Sequence, residues 1–163
     1  MPFLRHPLHL ILLASVGALA AAFTAQYGFG LRPCVLCLYQ RLPYGLAAVL
    51  ALAGLVGPLA GRGRTVLLAL CGLAFAVNAG IAMFHVGVEQ HWWAGLAACT
   101  GGGQPMAGSI EDLKAMLAGP PPPRCDQIPW SLFGISMAGY NVPASLVLAG
   151  FAAWAAINSR TPR

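Results

Sequence analysis

The chain has 163 residues, of which 58% are hydrophobic and 8% charged, against roughly 25% charged residues in an average soluble domain. Nine Lys/Arg and four Asp/Glu give a net charge of +5, and the mean hydropathy is +0.72. So few charges cannot cover a soluble surface, the hydropathy excludes disorder, and the small scattered positive excess is no nucleic-acid footprint. Composition therefore reads as a membrane protein with no nucleic-acid partner.

Taken in chain order, the charges mark out apolar runs, and a spanning helix needs about 20 mostly apolar residues. Four runs qualify, predicting transmembrane helices at about 8–28, 42–60, 65–88 and 142–158. The first run could be taken for a secretory signal peptide, with Arg5 ahead of it and Ala20-Ala21-Ala22 near its end, but it continues past a short apolar core to Tyr27. Residues 90–110 do not qualify, because the Gly101-Gly102-Gly103-Gln104-Pro105 run cannot hold a helix in lipid. The expected fold class is an all-α membrane protein, a single four-transmembrane-helix bundle over 1–163.

Orientation follows the basic residues near the helix ends. Arg5, Arg62, Arg64, Arg160 and Arg163 fall on one side with no acid, whereas Arg32, Arg41, Lys114 and Arg124 share the other with Glu89, Glu111, Asp112 and Asp126. The tight basic turn at Arg62 and Arg64 is expected to stay cytoplasmic, which puts both termini inside. The long loop at 89–131 then lies outside, between the third and fourth helices. Within that loop Ser109-Ile110-Glu111-Asp112 opens like a capping box, and Ile110, Leu113, Met116 and Leu117 would share a face. This predicts a short helix lying on the membrane or packed on its own bundle, stopped by Gly119 and the prolines after it.

All cysteines but Cys71 lie on the outer side. Pro33-Cys34-Val35-Leu36-Cys37 stands at the outer start of the second helix, and two intervening residues bring the sulfurs onto one helical turn. A thiolate there is favoured by free N–H groups and the positive end of the helix dipole. Arg41 follows Cys37 by one turn on the same face and sets a permanent cation beside charge developing at that sulfur. Cys99 and Cys125 lie in the loop. Four outer cysteines can make two disulfides in three pairings, either as structural staples or as an exchangeable relay. A tetra-cysteine zinc site lacks knuckle spacing, and a c-type haem site would need His where Leu38 stands. Cys71, in mid-span, reads as packing.

Two segments carry a family resemblance: 33–41, read Pro-Cys-Val-Leu-Cys-Leu-Tyr-Gln-Arg, and 124–136, with Arg124-Cys125-Asp126-Gln127-Ile128-Pro129-Trp130 and Phe133-Gly134-Ile135-Ser136. With four helices and the loop pair following the C-x-x-C, the chain resembles the disulfide bond formation protein B (DsbB) family over essentially its whole length. The resemblance implies a quinone-dependent protein thiol oxidase of the bacterial inner membrane, working on the periplasmic side. Cys99 would exchange with a periplasmic thioredoxin-fold oxidase of the DsbA type. Electrons would pass through a transient Cys34–Cys125 link to Cys34 and Cys37, and from Cys37 to ubiquinone or menaquinone, with Arg41 as the cofactor-binding residue and no metal.

The stretch 87–93, Gly-Val-Glu-Gln-His-Trp-Trp, resembles members set apart as DsbI-like, and the Gly-rich then Pro-rich loop interior is the chain's own. His91 and Trp130 are weighed as quinone or partner contacts against plain interfacial roles, Glu89 as an anchor of the third helix end, and Asn78 as an interhelical hydrogen bond. The alternative function is a non-catalytic membrane scaffold or transporter subunit with structural disulfides, and Arg41 is the feature such a staple does not need.

Overall fold

A computed structural model describes residues 7–57, 61–99, 108–111, 114 and 123–159. Helix α1 runs Pro7–Phe23 and widens into a π turn over Thr24–Gly28. Then come α2 (Val35–Val56), α3 (Arg62–Glu89), a short 3₁₀ turn at Ala97–Cys99, and α4 (Met137–Asn158). A two-residue hairpin precedes α4: β1 (Ser131–Leu132) pairs antiparallel with β2 (Ile135–Ser136), Leu132 opposite Ile135. The four long helices are each long and apolar enough to cross a membrane, so the number of spans is that expected from composition.

Their starts differ from expectation. Helix α2 begins at Val35, upstream of 42, and α4 at Met137, upstream of 142. Arg41, which bounded the apolar run in sequence, lies inside α2. Pro43 and Pro143, which look like helix-start residues, also lie inside their helices. Each removes one backbone hydrogen bond, a loss that neighbouring helices offset in a bundle. The last three residues of 42–60, the three basic residues Arg5, Arg160 and Arg163, and most of the expected short loop helix, Asp112, Leu113, Met116 and Leu117 included, lie outside the described residues.

The helices pack through small side chains, as helices in lipid must when no hydrophobic drive separates helix from solvent. Ala47 and Ala51 of α2 are fully buried with Leu68, Cys71 and Phe75 of α3, and Ala152 of α4 joins the same core. A Cβ on Gly72 would meet Ala149 and Ala152 at 3.5 Å, which is how closely α3 and α4 approach. Cys71 belongs to this packing, its thiol 3.8 Å from the Ala47 carbonyl. The opposite face of α2 presents Leu42, Val49 and Val56, all well exposed and one heptad apart, as a lipid-facing strip.

Polar groups cross the bundle centre. Asn78 of α3 donates to Ser145 at 2.8 Å and to Asn141 at 3.3 Å, both on α4, so it does bridge helices. At the cysteine end Glu89, the last residue of α3, accepts from Ser136, the residue that caps α4. Ser136 in turn accepts the Gly139 N–H at 3.0 Å. This buried contact fixes where the chain re-enters the bundle after the loop.

Candidate dithiol and disulfide centre

Cys34 is the N-cap of α2. Its backbone is extended (φ −75°, ψ 172°) and its sulfur accepts the Cys37 N–H at 3.3 Å, the capping bond that Ser or Asp usually supplies. The two sulfurs of the C-x-x-C lie 2.8 Å apart as free thiols. Cys99 and Cys125 are joined as a disulfide with Cα atoms 5.0 Å apart, and the Cys125 N–H bonds the Cys99 carbonyl at 3.2 Å. Cys34, Cys99 and Cys125 share one buried cluster with Leu36 and Val88, against which Cys37 packs from its edge. All four predicted cysteines thus come together, the loop pair from positions 26 apart in sequence.

The approach of the loop depends on how α3 stops. Gln90 ends the helix, His91 takes a positive φ of 59°, and the Trp92 N–H returns to the Gly87 carbonyl at 2.8 Å. Trp93 then stacks on Phe84 and donates its indole N–H to the Phe84 carbonyl at 3.0 Å. Gly87 leaves the room for that indole, since any Cβ there would run into it. Trp93 therefore clamps the start of the loop onto α3, a few residues before Cys99.

Cys37 opens on a cavity of about 320 Å³ lined from α1, α2, α3 and α4, near the lower bound of small-molecule pockets. One wall is apolar, with Ala18, Leu19 and Ala22 of α1; the other carries Gln40, Arg41 and His85. Arg41 reaches across it, donating to Gln26 Oε1 at 2.6 Å with its guanidinium 5.0 Å from the Phe23 ring centroid. The π turn on α1 brings Gln26 to this contact, a use typical of such irregularities. The cavity is therefore mostly apolar, with a guanidinium, an amide and an imidazole in its lining. His91 and Trp130 do not line this cavity; both are exposed, and His91 serves the helix end.

His85 escaped the sequence reading. It is buried on α3, with Nε2 3.5 Å from Cys34 Sγ and 3.8 Å from Glu89 Oε1 one turn on. Gln40 Nε2 meets its Nδ1 at 2.9 Å. The available signal was a His and a Glu at i, i+4 on an otherwise apolar span, which marks a functional site in membrane helices. The Cys34 thiol is held below its usual range, first by the Cys37 hydrogen bond and then, against the opposing effect of burial, by His85. Sequence reasoning put the stabilised charge at Cys37; the capping geometry and His85 favour it at Cys34. Outside the cluster, Asp126 pairs with Arg124 through two hydrogen bonds of 2.9 and 2.6 Å, which lower its carboxyl below the ordinary value.

Sulfur and imidazole donors of Cys34, Cys37 and His85 fall within 4.8 Å of one another, the only such three-residue grouping among the described residues. The Gln40 amide nitrogen can only donate, so Nδ1 accepts and Nε2 carries the ring hydrogen. In this arrangement the Nε2–H faces Cys34 Sγ at 3.5 Å, a contact that suits thiol chemistry.

Known proteins resemble the chain over most of its length. The family model described as disulfide bond formation protein DsbB matches residues 4–155. A disulfide bond formation protein B of Xanthomonas campestris pv. campestris (strain 8004) is 34% identical over 158 residues, covering 93% of this chain and 89% of the relative. One from Xanthomonas axonopodis pv. citri (strain 306) is 35% identical, covering 88% and 83%. A disulfide bond formation protein B 2 of Pseudomonas entomophila (strain L48) is 35% identical, covering 85% and 82%. No solved structure matches.

Proposed function

Because the chain belongs to the DsbB family of disulfide bond formation proteins, we propose that it is a thiol:quinone oxidoreductase of the bacterial inner membrane that reoxidises a periplasmic dithiol oxidase of the DsbA type. One observation carries this reading: Cys34 packs with the Cys99–Cys125 disulfide while Cys37 faces the cavity that holds Arg41. A structural staple needs neither a second pair at its side nor a cation-lined cavity behind it.

The exchange balances as follows. A substrate thiolate attacks Cys99, the Cys99–Cys125 bond breaks, and Cys125 leaves as a thiolate. The second substrate thiol displaces Cys99, and the substrate departs oxidised. Cys125 then attacks Cys34 of an oxidised Cys34–Cys37 pair, freeing Cys37. Cys99 finally attacks Cys125, restoring the loop disulfide and releasing Cys34. Quinone in the cavity would supply the acceptor for the two electrons and two protons of that dithiol. Cys37 and Arg41 would hold it, and the apolar wall of α1 would keep water from it.

The basic turn at Arg62 and Arg64 supports a cytoplasmic position for that end, with the cysteine end and its acids Glu89, Glu111 and Asp126 in the periplasm. The relay is tested by removing its alternatives. In a Cys37→Ala, Cys99→Ala double variant, mild oxidation should link Cys34 to Cys125, seen by non-reducing peptide mapping. A folded variant that forms no such link would contradict the order of transfer.

A further inference from the structure

A chain of side-chain hydrogen bonds runs from the bundle centre to the dithiol, and none of the exchange steps above uses it. Its proton positions can be read outward. Asn141 Oδ1 receives Tyr44 Oη at 2.7 Å, Ser145 Oγ at 3.1 Å and Asn78 Nδ2 at 3.3 Å. With Asn141 Oδ1 accepting from these three groups, the Asn141 amide nitrogen donates to Gln40 Oε1 at 2.6 Å. Gln40 therefore turns Nε2 toward His85 Nδ1 at 2.9 Å. A neutral imidazole whose Nδ1 accepts carries its hydrogen on Nε2. That nitrogen faces Cys34 Sγ at 3.5 Å.

We propose that Gln40 and Asn141 are positioning residues of the dithiol, holding His85 with its ring hydrogen on Nε2 and aimed at Cys34, so that Cys34 is the thiolate of the reduced pair. The purpose of this device rests on the relay reading of the same site; its geometry does not. In the step where Cys99 attacks Cys125 of the Cys34–Cys125 link, the Cys99–Cys125 bond forms and the Cys34–Cys125 bond breaks. The electron pair leaves on Cys34. The Nε2–H stabilises that charge without giving up its proton, and a stabilised thiolate leaves faster. The network thus biases cleavage of the link toward regenerating the loop disulfide. The titratable groups around the imidazole are Cys34 at the start of α2, Glu89 on α3, and, lining the shared cavity, Cys37, Arg32, Arg41, Tyr44 and Tyr140.

The test uses reduced protein in lipid nanodiscs, with neither quinone nor thiol substrate. Nitrogen NMR of labelled histidine distinguishes the ring tautomers, and loss of one signal in His85→Asn assigns it among the four histidines. Wild type should show hydrogen on Nε2. Gln40→Glu, whose carboxylate accepts rather than donates, should move it to Nδ1 or give the imidazolium. Asn141→Leu should lower the Cys34 thiolate population, with its ultraviolet titration midpoint rising by about one pH unit, a tenfold change in ionisation. A wild-type His85 with hydrogen on Nδ1 overturns the proposal without any variant. So does an unmoved thiolate titration in folded Asn141→Leu. Because no arm involves turnover, an Nε2–H tautomer in a protein that never reduces quinone would sink the oxidase reading and leave this one standing.

Discussion

His85 Nε2 lies 3.5 Å from the sulfur of Cys34, 51 residues away in sequence. The same sulfur receives the Cys37 N–H at 3.3 Å and has the Cys37 thiol at 2.8 Å. Three hydrogen-bearing groups thus converge on a sulfur that is only 5% exposed, where water cannot substitute for them. The helix N-terminus adds its dipole in the same sense.

The first prediction concerns pH. The Cys34 thiol is lowered by Cys37 and His85, so its thiolate persists well below the pH of about 8.5 at which an ordinary thiol half-ionises. The contribution of this group to the stability of the reduced protein is fully present above that ordinary value. It is lost as pH falls through the lowered one. Thiolate absorbance of the reduced protein should therefore show a component with a depressed midpoint that disappears in Cys34→Ser. A titration identical in wild type and Cys34→Ser would refute it.

Arg41→Lys keeps the charge but loses the planar fork that bonds Gln26 and lies over Phe23. Quinone affinity should fall by roughly tenfold, the value of one charge-assisted hydrogen bond of about 1.5 kcal/mol. Chemical oxidation of Cys34 and Cys37 should be unaffected. An unchanged quinone titration in the variant would remove Arg41 from the cavity's chemistry.

Ser136 does two jobs, capping α4 through Gly139 and donating to buried Glu89. Ser136→Ala should cost about 1–3 kcal/mol through the lost cap and an unsatisfied carboxylate. Ser136→Thr, which keeps the hydroxyl, should recover most of it. Unfolding in lipid or detergent measures both, and an Ala variant as stable as wild type would mean the α3–α4 tie carries no weight.

Energetics constrain the bridges themselves. DsbA-type oxidases are known to be strongly oxidising, near −120 mV, and an ordinary structural disulfide near −300 mV would sit about 8 kcal/mol uphill as an acceptor for two electrons. At least one cysteine pair should therefore be less reducing than about −250 mV in a glutathione titration. Both pairs lying well below that, with no response to added quinone, would argue for staples.

Much of this was readable in the chain. Four apolar runs gave four helices, and Pro33 followed by the C-x-x-C marked a helix start with its cysteines in the first turn. The apolar run by itself put that helix at 42–60, because Arg41 interrupts the run although it lies inside α2. His85 was signalled only by its i, i+4 spacing to Glu89, and Asn141 by nothing in its own span; the roles of both come from a partner on another helix, Gln40. Nor could spacing alone choose among the cysteine pairings; that needed the turn at His91 and the Trp93 clamp that deliver Cys99 to Cys125.

The most direct measurement of the account is turnover of purified protein in lipid, given a reduced thioredoxin-fold dithiol and quinone, with quinone loss followed optically. Wild type should consume one quinone per substrate disulfide formed, and Cys34→Ala and Cys37→Ala should consume none. Cys99→Ala should still let the Cys34–Cys37 dithiol reduce quinone once while failing to oxidise the substrate. A folded wild-type protein that leaves quinone untouched, with all three variants equally inert, would contradict the relay and favour a membrane scaffold stapled by disulfides.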